Sequence, residues 1–166
     1  MINLYIDFDG VILDTLTPVY NLARELNIDY KTQSEEIGLL FAEIDWNNLL
    51  QESEELNDNI NNIRKLKESK RFNISILTHV NSLKEATAKI NFINNFFDDL
   101  TIIPVPKVVS KTMMTQTKDA ILVDDYGGNL REWEKSGGIS VKFVKEKENS
   151  EFIEITSLDQ LLDIKF

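Results

Sequence analysis

The chain has 166 residues, which corresponds to about one domain of ordinary size. Its formal net charge is −10, from 18 Lys and Arg against 28 Asp and Glu, which disfavours binding to nucleic-acid phosphates or to an anionic membrane surface. It contains no Cys, which excludes disulfides, thiolate metal sites and cysteine nucleophiles and fits a reducing compartment. The N-terminal residues do not resemble a signal peptide and no apolar run reaches ~20 residues, so we expect a cytoplasmic location without membrane contact.

Short apolar runs along the chain predict strands that are buried on both faces of a parallel sheet, because they are rich in Ile, Val and Leu and lack alternation. Four of these runs are residues 2–6, 74–77, 100–105 and 120–123, and a fifth candidate is 139–144. Helical patterns separate them. Alternating strands and helices predict a doubly wound, Rossmann-like α/β fold with three layers.

The helical patterns are recognised by apolar residues at three- and four-residue steps. The clearest one has Ser82 as its N-cap and Glu85 three residues later, as in a capping box. Its apolar stripe is Leu83, Ala86, Ile90, Ile93 and Phe97; further helices are predicted around Ile60, Ile63 and Leu66, around Leu130 and Trp133, and at 157–162.

The segment from about residue 16 to 56 interrupts the alternation of strand and helix. It predicts a helix beginning at Leu16, a turn at 27–33, a second helix through Ile37 and Phe41, and a third at 46–50. About forty helical residues that directly follow the first strand predict a small cap over the edge of the sheet.

Carboxylates follow two of the predicted strands. Asp7 and Asp9 come directly after the first strand, and Asp124 and Asp125 come at the end of the fourth. Ligands of open α/β sheets bind outside the carboxyl ends of the strands, so these side chains are expected around one pocket. A single Asp pair would be interpreted as solvated turn residues. Two such pairs at the ends of two strands, together with the Thr78 hydroxyl after the second predicted strand, favour a functional site. Oxygen ligands without Cys indicate Mg²⁺.

The stretch DFDGVILDT at residues 7–15 resembles the first motif of the haloacid dehalogenase-like (HAD) hydrolase superfamily. Leu77-Thr78 is similar to the second motif and ILVDD at 121–125 resembles the fourth, in the order of the family. The resemblance implies a HAD-like core at 1–14 and 57–166 and a C1-type cap at 15–56. The stretch VDDYGGNL at 123–130 also resembles the small 5′(3′)-deoxyribonucleotidase-like members.

The resemblance implies a role for each matched residue. Asp7 would attack phosphorus, and Asp9 would protonate the leaving oxygen and then take a proton from water. Asp7, Asp124 and the Asp9 carbonyl would hold Mg²⁺, with Asp125 orienting metal-bound water or a lysine. Thr78 would bind a phosphoryl oxygen.

The lysine of the third motif is the least defined of these residues. Lys107 and Lys111 both follow the third strand and Lys118 precedes the fourth; each could be a solvated surface residue. We favour Lys111, because similar nucleotidase-like sequences have their lysine at a comparable distance before the two adjacent aspartates. His79 is interpreted as a rim residue, and Phe41, Trp46 and Trp133 as core.

The function expected from these residues is hydrolysis of a small phosphomonoester through an aspartyl-phosphate. The family resemblance suggests a nucleoside monophosphate as substrate, and therefore a 5′-nucleotidase. The alternatives are a catalytically silent HAD-like binding module, a dehalogenase or phosphonatase, and a receiver domain. The receiver domain is disfavoured by the motif order, and the silent module by the presence of both Asp7 and Asp9.

Overall fold

The computed structural model describes residues 1–29 and 31–166. The strands in these ranges are β1 Ile2–Ile6, β2 Leu13–Asp14, β3 Glu54–Glu55, β4 Phe72–Val80, β5 Thr101–Pro106, β6 Ile121–Asp124, β7 Ile139–Phe143 and β8 Ile153–Ile155. Six of them form a sheet in the order β5-β4-β1-β6-β7-β8, in which each neighbouring pair is parallel. The two-residue strands β2 and β3 pair separately and are antiparallel.

Six α-helices connect the strands of the described residues. They are α1 Leu16–Glu25, α2 Ser34–Glu43, α3 Trp46–Glu52, α4 Asn59–Glu68, α5 Leu83–Asn94 and α6 Gly127–Lys135. Short 3-10 helices cover Lys111–Met113 and Leu158–Leu162. Among these residues, no helix is both long enough and apolar enough to cross a membrane.

Two hydrophobic clusters lie on opposite faces of the sheet, because alternate residues of a buried strand point to opposite sides. On one face, Leu4 and Ile6 of β1 pack with the apolar residues of α4, α5 and the C-terminal 3-10 helix. On the other face, Leu77 and Leu122 pack with Leu130 and Trp133 of α6. The predicted Rossmann-like α/β class is confirmed.

The five predicted strands are present, with ends that differ by a few residues from the prediction. β8 was not predicted, because it has only three residues and lies in an acidic segment without a long apolar run. The pair β2–β3 was not predicted either, because two residues are too few to produce a pattern. The predicted C-terminal helix is a 3-10 helix that Ser157 precedes without capping it: the Ser157 hydroxyl oxygen accepts from the Asn62 side-chain amide and its proton is donated to Asp159.

The helices α1, α2 and α3 form one insertion between β2 and β3, which we call the helical insertion (Leu16–Glu52). Its helices agree with the three that were predicted after the first strand. The Asp45 carboxylate accepts a hydrogen bond from the Asn48 backbone N–H and thereby caps α3. α3 packs against α5 of the core, so the insertion lies next to the carboxyl end of β4.

Candidate active site

The centre of the sheet is the point at which the strand order reverses. The chain runs from β1 outward through β4 to β5, then returns to β6 on the other side of β1. In open α/β sheets this switch point forms the ligand crevice. Asp7 follows β1 there, and its backbone N–H donates to the Val123 carbonyl of β6 at 2.9 Å, so the acidic ends of β1 and β6 lie side by side.

The turn after β1 brings its acidic residues close to those of β6. Gly10 adopts a left-handed conformation with φ of +71°, which glycine reaches without strain. A Cβ at this position would also collide with the Asp125 carboxylate. The turn therefore requires glycine both for its backbone conformation and for the close approach of Asp125.

Three carboxylates converge at the switch point. Asp7, Asp124 and Asp125 each present one oxygen, and these three oxygens all lie within 4.8 Å of one another. Burial raises the pKa of Asp7, and the neighbouring carboxylates raise it further, while Lys111 opposes them. Burial, with Asp124 and Asp9 nearby, raises the pKa of Asp125 to about 7. The trio therefore needs positive charge to be fully ionised, and its oxygen-only donors fit a hard cation such as Mg²⁺.

Lys111 supplies one positive charge to this trio. It lies in the 3-10 helix after β5, and its Nζ is 3.0 Å from Asp7 Oδ1 and 2.6 Å from Asp124 Oδ2. Its burial would lower the pKa of this lysine, but the two carboxylates raise it above its usual value, so Lys111 is charged. Lys107 is exposed and lines the cavity described below, and Lys118 is exposed.

Asp124 is fully buried and is held by donors on both oxygens. Besides Lys111, the Asn129 side-chain amide donates to Asp124 Oδ2 at 2.9 Å, and the Tyr126 backbone N–H donates to Oδ1 at the same distance. Asn129 lies on the first turn of α6, so this helix orients the carboxylate. A buried acid with this many donors keeps a single orientation.

The carboxylate of Asp9 lies outside the trio and is held by different donors. Thr15 donates to Oδ1 at 2.6 Å, while Thr78 donates to Oδ2 at 3.3 Å and the Lys89 ammonium at 2.5 Å. Burial raises the pKa of Asp9, but the Lys89 ammonium and the Thr15 hydroxyl outweigh it and hold the pKa below its ordinary value. Asp9 is ionised in this state.

Lys89 was not singled out in the sequence. It is fully buried, and its Nζ also donates to Glu85 Oε1 at 2.7 Å. A signal was present: Lys89 lies three residues after Ala86 and four before Ile93, so a charge occupies the apolar stripe, with Glu85 four residues earlier. Glu85 was interpreted only as a capping residue; its Oε2 accepts from the Asn81 backbone N–H rather than from that of Ser82.

A cavity of about 510 Å³ opens next to these residues. Asp7, Asp9 and Asp125 form its floor at the sheet, and the helical insertion forms another wall. Aromatic and apolar side chains are prominent on its sides: Leu16, Tyr20, Ile37, Phe41 and Tyr126. The cavity therefore combines an acidic, cation-binding floor with an apolar upper part.

The remaining residues that the sequence singled out lie either at the cavity or in the hydrophobic core. His79 lines the cavity and its Nε2 is 3.0 Å from the Val109 carbonyl oxygen, consistent with a rim residue. Trp46 and Trp133 are buried in the core. Phe41 stacks on Trp46 and also lines the cavity, so it belongs to the core and the wall together.

Comparison with solved structures identifies the fold. The chain superposes on a HAD phosphatase from Thermococcus onnurineus with a TM-score of 0.65 and 16% identity, covering 98% of this chain and 97% of that one. The chain has the fold of the HAD-superfamily hydrolases. Two further HAD structures also match over 98% of this chain and 97% of their own. One is protein SP0104 from Streptococcus pneumoniae, with a TM-score of 0.63 and 15% identity. The other is YfnB from Bacillus subtilis, bound to magnesium, with a TM-score of 0.64 and 16% identity.

The HAD fold is thus found by structure at low sequence identity. A scan against protein-family models and a search of the curated proteins each give no match. None of the three HAD structures above is described as a nucleotidase, so the narrower resemblance to deoxyribonucleotidases stays a prediction.

Proposed function

We propose that this protein is a Mg²⁺-dependent phosphohydrolase that cleaves a small phosphomonoester through an aspartyl-phosphate on Asp7. The observation that carries the proposal is the convergence of Asp7, Asp124 and Asp125 around the buried ammonium of Lys111, at the floor of an open cavity. The HAD fold and the description of one structural neighbour as a HAD phosphatase support the same reaction class.

Asp7 is the nucleophile in this proposal. A carboxylate attacks a phosphate ester only if the repulsion between the two anions is cancelled. Lys111 supplies part of the cancelling charge, since its ammonium contacts Asp7 directly. Attack by an Asp7 oxygen on phosphorus breaks the ester bond and leaves an aspartyl-phosphate, which water then hydrolyses.

Asp9 is the acid and base of the two steps, and Thr78 binds a phosphoryl oxygen. In the state described here Asp9 is ionised and therefore ready to accept a proton from water. An incoming phosphate brings negative charge next to Asp9, which raises the pKa of its carboxyl and favours the protonated form needed by the leaving oxygen.

Asp7, Asp124 and Asp125 are the residues that would hold Mg²⁺, together with the Asp9 carbonyl. Their carboxylate oxygens and the distances between them fit the ion. The raised pKa values of Asp7 and Asp125 indicate that an added positive charge would favour full ionisation of the cluster. When bound, Mg²⁺ would neutralise the phosphoryl oxygens and keep the nucleophile ionised.

We further propose that residues 15–56 act as a cap and that the substrate is a nucleoside monophosphate. The cavity lies between the core and the helical insertion, and its volume of about 510 Å³ is within the usual range for a small ligand. Phe41 and Tyr126 offer apolar surface to a base, above the floor that would take the phosphate. The cytoplasmic location stays a prediction.

The test is turnover of p-nitrophenyl phosphate with Mg²⁺, with EDTA, and by the Asp7→Asn variant. We expect phosphate release that requires the metal and falls by about 10³-fold or more in the variant, since a lost nucleophile is not replaced by binding alone. Asp98→Asn is the matched control, because Asp98 is exposed and distant in sequence from the motifs.

Turnover that persists in EDTA or in Asp7→Asn would contradict the mechanism. If the folded wild type does not hydrolyse p-nitrophenyl phosphate, it is next assayed with a panel of phosphometabolites that includes nucleoside monophosphates. Silence on the whole panel would contradict the hydrolase and favour a HAD-like binding module.

A further inference from the structure

Lys89 is a fully buried lysine that lies behind the cavity rather than in its wall. Asp9 and Glu85 line the cavity, whereas the Lys89 side chain is 1% exposed and contacts both of these carboxylates from the protein side. Its Nζ also donates to the His79 carbonyl oxygen at 3.1 Å. The ammonium is therefore saturated by protein acceptors.

Aromatic rings surround the same ammonium. Lys89 Nζ lies 5.4 Å from the ring centroid of Phe8 and 5.0 Å from that of Trp46. Phe8 comes from the turn between Asp7 and Asp9, and Trp46 begins α3 of the helical insertion. The insertion thus closes over the lysine and keeps water from it, since Trp46 is itself buried.

A buried charge in this position is costly for stability alone. Replacing both partners of a buried ion pair by apolar residues of similar volume is often neutral or stabilising, so apolar residues at 85 and 89 together would satisfy packing without a buried charge. The charge is better explained by what it does to Asp9. Without it, the hydrogen bonds that the described residues make to Asp9 Oδ2 would be reduced to the one from Thr78 at 3.3 Å.

We propose that Lys89 is a positioning residue that fixes the orientation of the Asp9 carboxylate for proton transfer to the leaving group, with Trp46 of the helical insertion sealing the contact. The inference rests on the proposed phosphohydrolase function. Thr15 on one oxygen and Lys89 on the other hold the carboxylate at two points, so it cannot rotate. Proton transfer requires donor and acceptor at hydrogen-bonding distance, which this orientation maintains.

The kinetic test uses Lys89→Met and compares two substrates by kcat/KM, which reports the steps up to departure of the leaving group. The glycerol oxygen released from β-glycerophosphate must be protonated as it leaves, whereas p-nitrophenolate leaves without a proton. We expect the ratio of kcat/KM for β-glycerophosphate to that for p-nitrophenyl phosphate to fall about 100-fold, the usual size of a general-acid contribution.

Two further variants separate positioning from folding. Glu85→Gln combined with Lys89→Met removes the carboxylate that the single change would leave buried and unpaired, and it is expected to give the same fall in the ratio. Lys84→Met changes an exposed lysine of the same helix and is expected to leave the ratio unchanged. A structural role alone would lower kcat/KM for both substrates equally and leave the ratio intact, which would overturn the proposal.

Crystal structures of the wild type and of Lys89→Met, or of the double variant if the single one does not fold, provide a readout independent of turnover. We expect the Asp9 carboxylate to rotate away from its wild-type orientation when Lys89 is absent. An unchanged Asp9 would overturn the positioning role. If the wild type hydrolyses no phosphomonoester, the proposed function fails, and the structures still decide whether Lys89 orients Asp9.

Discussion

Lys107 and Lys111 are four residues apart, yet the structure gives them different surroundings. Lys111 is buried and contacts Asp7 and Asp124, whereas Lys107 is exposed at the cavity. We therefore expect Lys111→Met to lower kcat/KM for a phosphomonoester by at least about 10²-fold, because two buried carboxylates lose their counter-charge next to the reacting phosphate. Steady-state kinetics measure the effect.

Lys107→Met is the matched comparison for this prediction. Its ammonium is solvated, so its loss is expected to change KM by only a few-fold and to leave kcat nearly unchanged. If Lys111→Met kept normal kinetics while Lys107→Met did not, the lysine of the third motif would be Lys107.

The pKa of Asp125 predicts how Mg²⁺ binding depends on pH. Because burial raises this pKa to about 7, the carboxyl is largely protonated near pH 6 and largely ionised near pH 8. A proton and a cation compete for the same oxygens, so the affinity for Mg²⁺ is expected to weaken as pH falls through 7. Titration calorimetry at about pH 6, 7 and 8 measures this directly.

Asp125→Asn tests the source of that pH dependence. The variant is expected to bind Mg²⁺ more weakly near pH 8, because it loses a charged ligand, but with a shallower dependence on pH. Equal affinity of the wild type at about pH 6 and pH 8 would contradict the assignment of the titrating group to this site.

At the scale of elements, the turn after β1 depends on a glycine at position 10. Gly10→Ala would place a methyl group against the Asp125 carboxylate and force a left-handed conformation on alanine. The strain is expected to cost about 1–2 kcal/mol of folding free energy, which chemical denaturation measures. Mg²⁺ affinity and turnover are expected to fall further, because the turn moves relative to Asp125.

Gly38 supplies the control for this substitution. It lies in α2 with nothing near an added Cβ, so Gly38→Ala is expected to stabilise the helix by a few tenths of a kcal/mol to about 1 kcal/mol. A Gly10→Ala variant with the stability and the metal affinity of the wild type would show that Asp125 can move without consequence.

The elements themselves were largely predictable, because their residues are repeated at regular spacing. β1, β4, β5, β6 and β7 are rich in Ile, Val and Leu, and α5 has apolar residues at helical spacing after the capping Ser82. β2, β3 and β8 depend on pairing with distant residues: β3 consists of two exposed glutamates that are strand only because Leu13 and Asp14 lie opposite.

At the scale of the whole molecule, we expect the helical insertion to limit what can reach the acidic floor. Its helices form one wall of the cavity, so we expect a small phosphomonoester to enter and a folded phosphoprotein to meet α1 and α2 first. We expect release of phosphate from free phosphoserine or a nucleoside monophosphate and none from a folded phosphoprotein of equal phosphate concentration. Comparable rates on both would contradict the role of the insertion as a cap.

The net charge of −10 acts at the same scale. A protein this acidic repels a phosphate at long range, so attraction must come from local positive groups. Lys107 lines the cavity, whereas Lys111 and Lys89 lie buried behind the carboxylates of its floor, each against two carboxylates. The positive charge of each buried lysine is thereby balanced by neighbouring carboxylates.

The sequence by itself determined the α/β class, the helical insertion and the group of candidate residues Asp7, Asp9, Thr78, Asp124 and Asp125. Their signals are local: apolar runs, helical spacing, and acids directly after a strand. Only the tertiary structure decided which lysine contacts Asp7 and how Asp9 is held. Lys111 and Lys89 reach these carboxylates across 104 and 80 positions of the chain, and no local pattern records a contact between side chains so far apart.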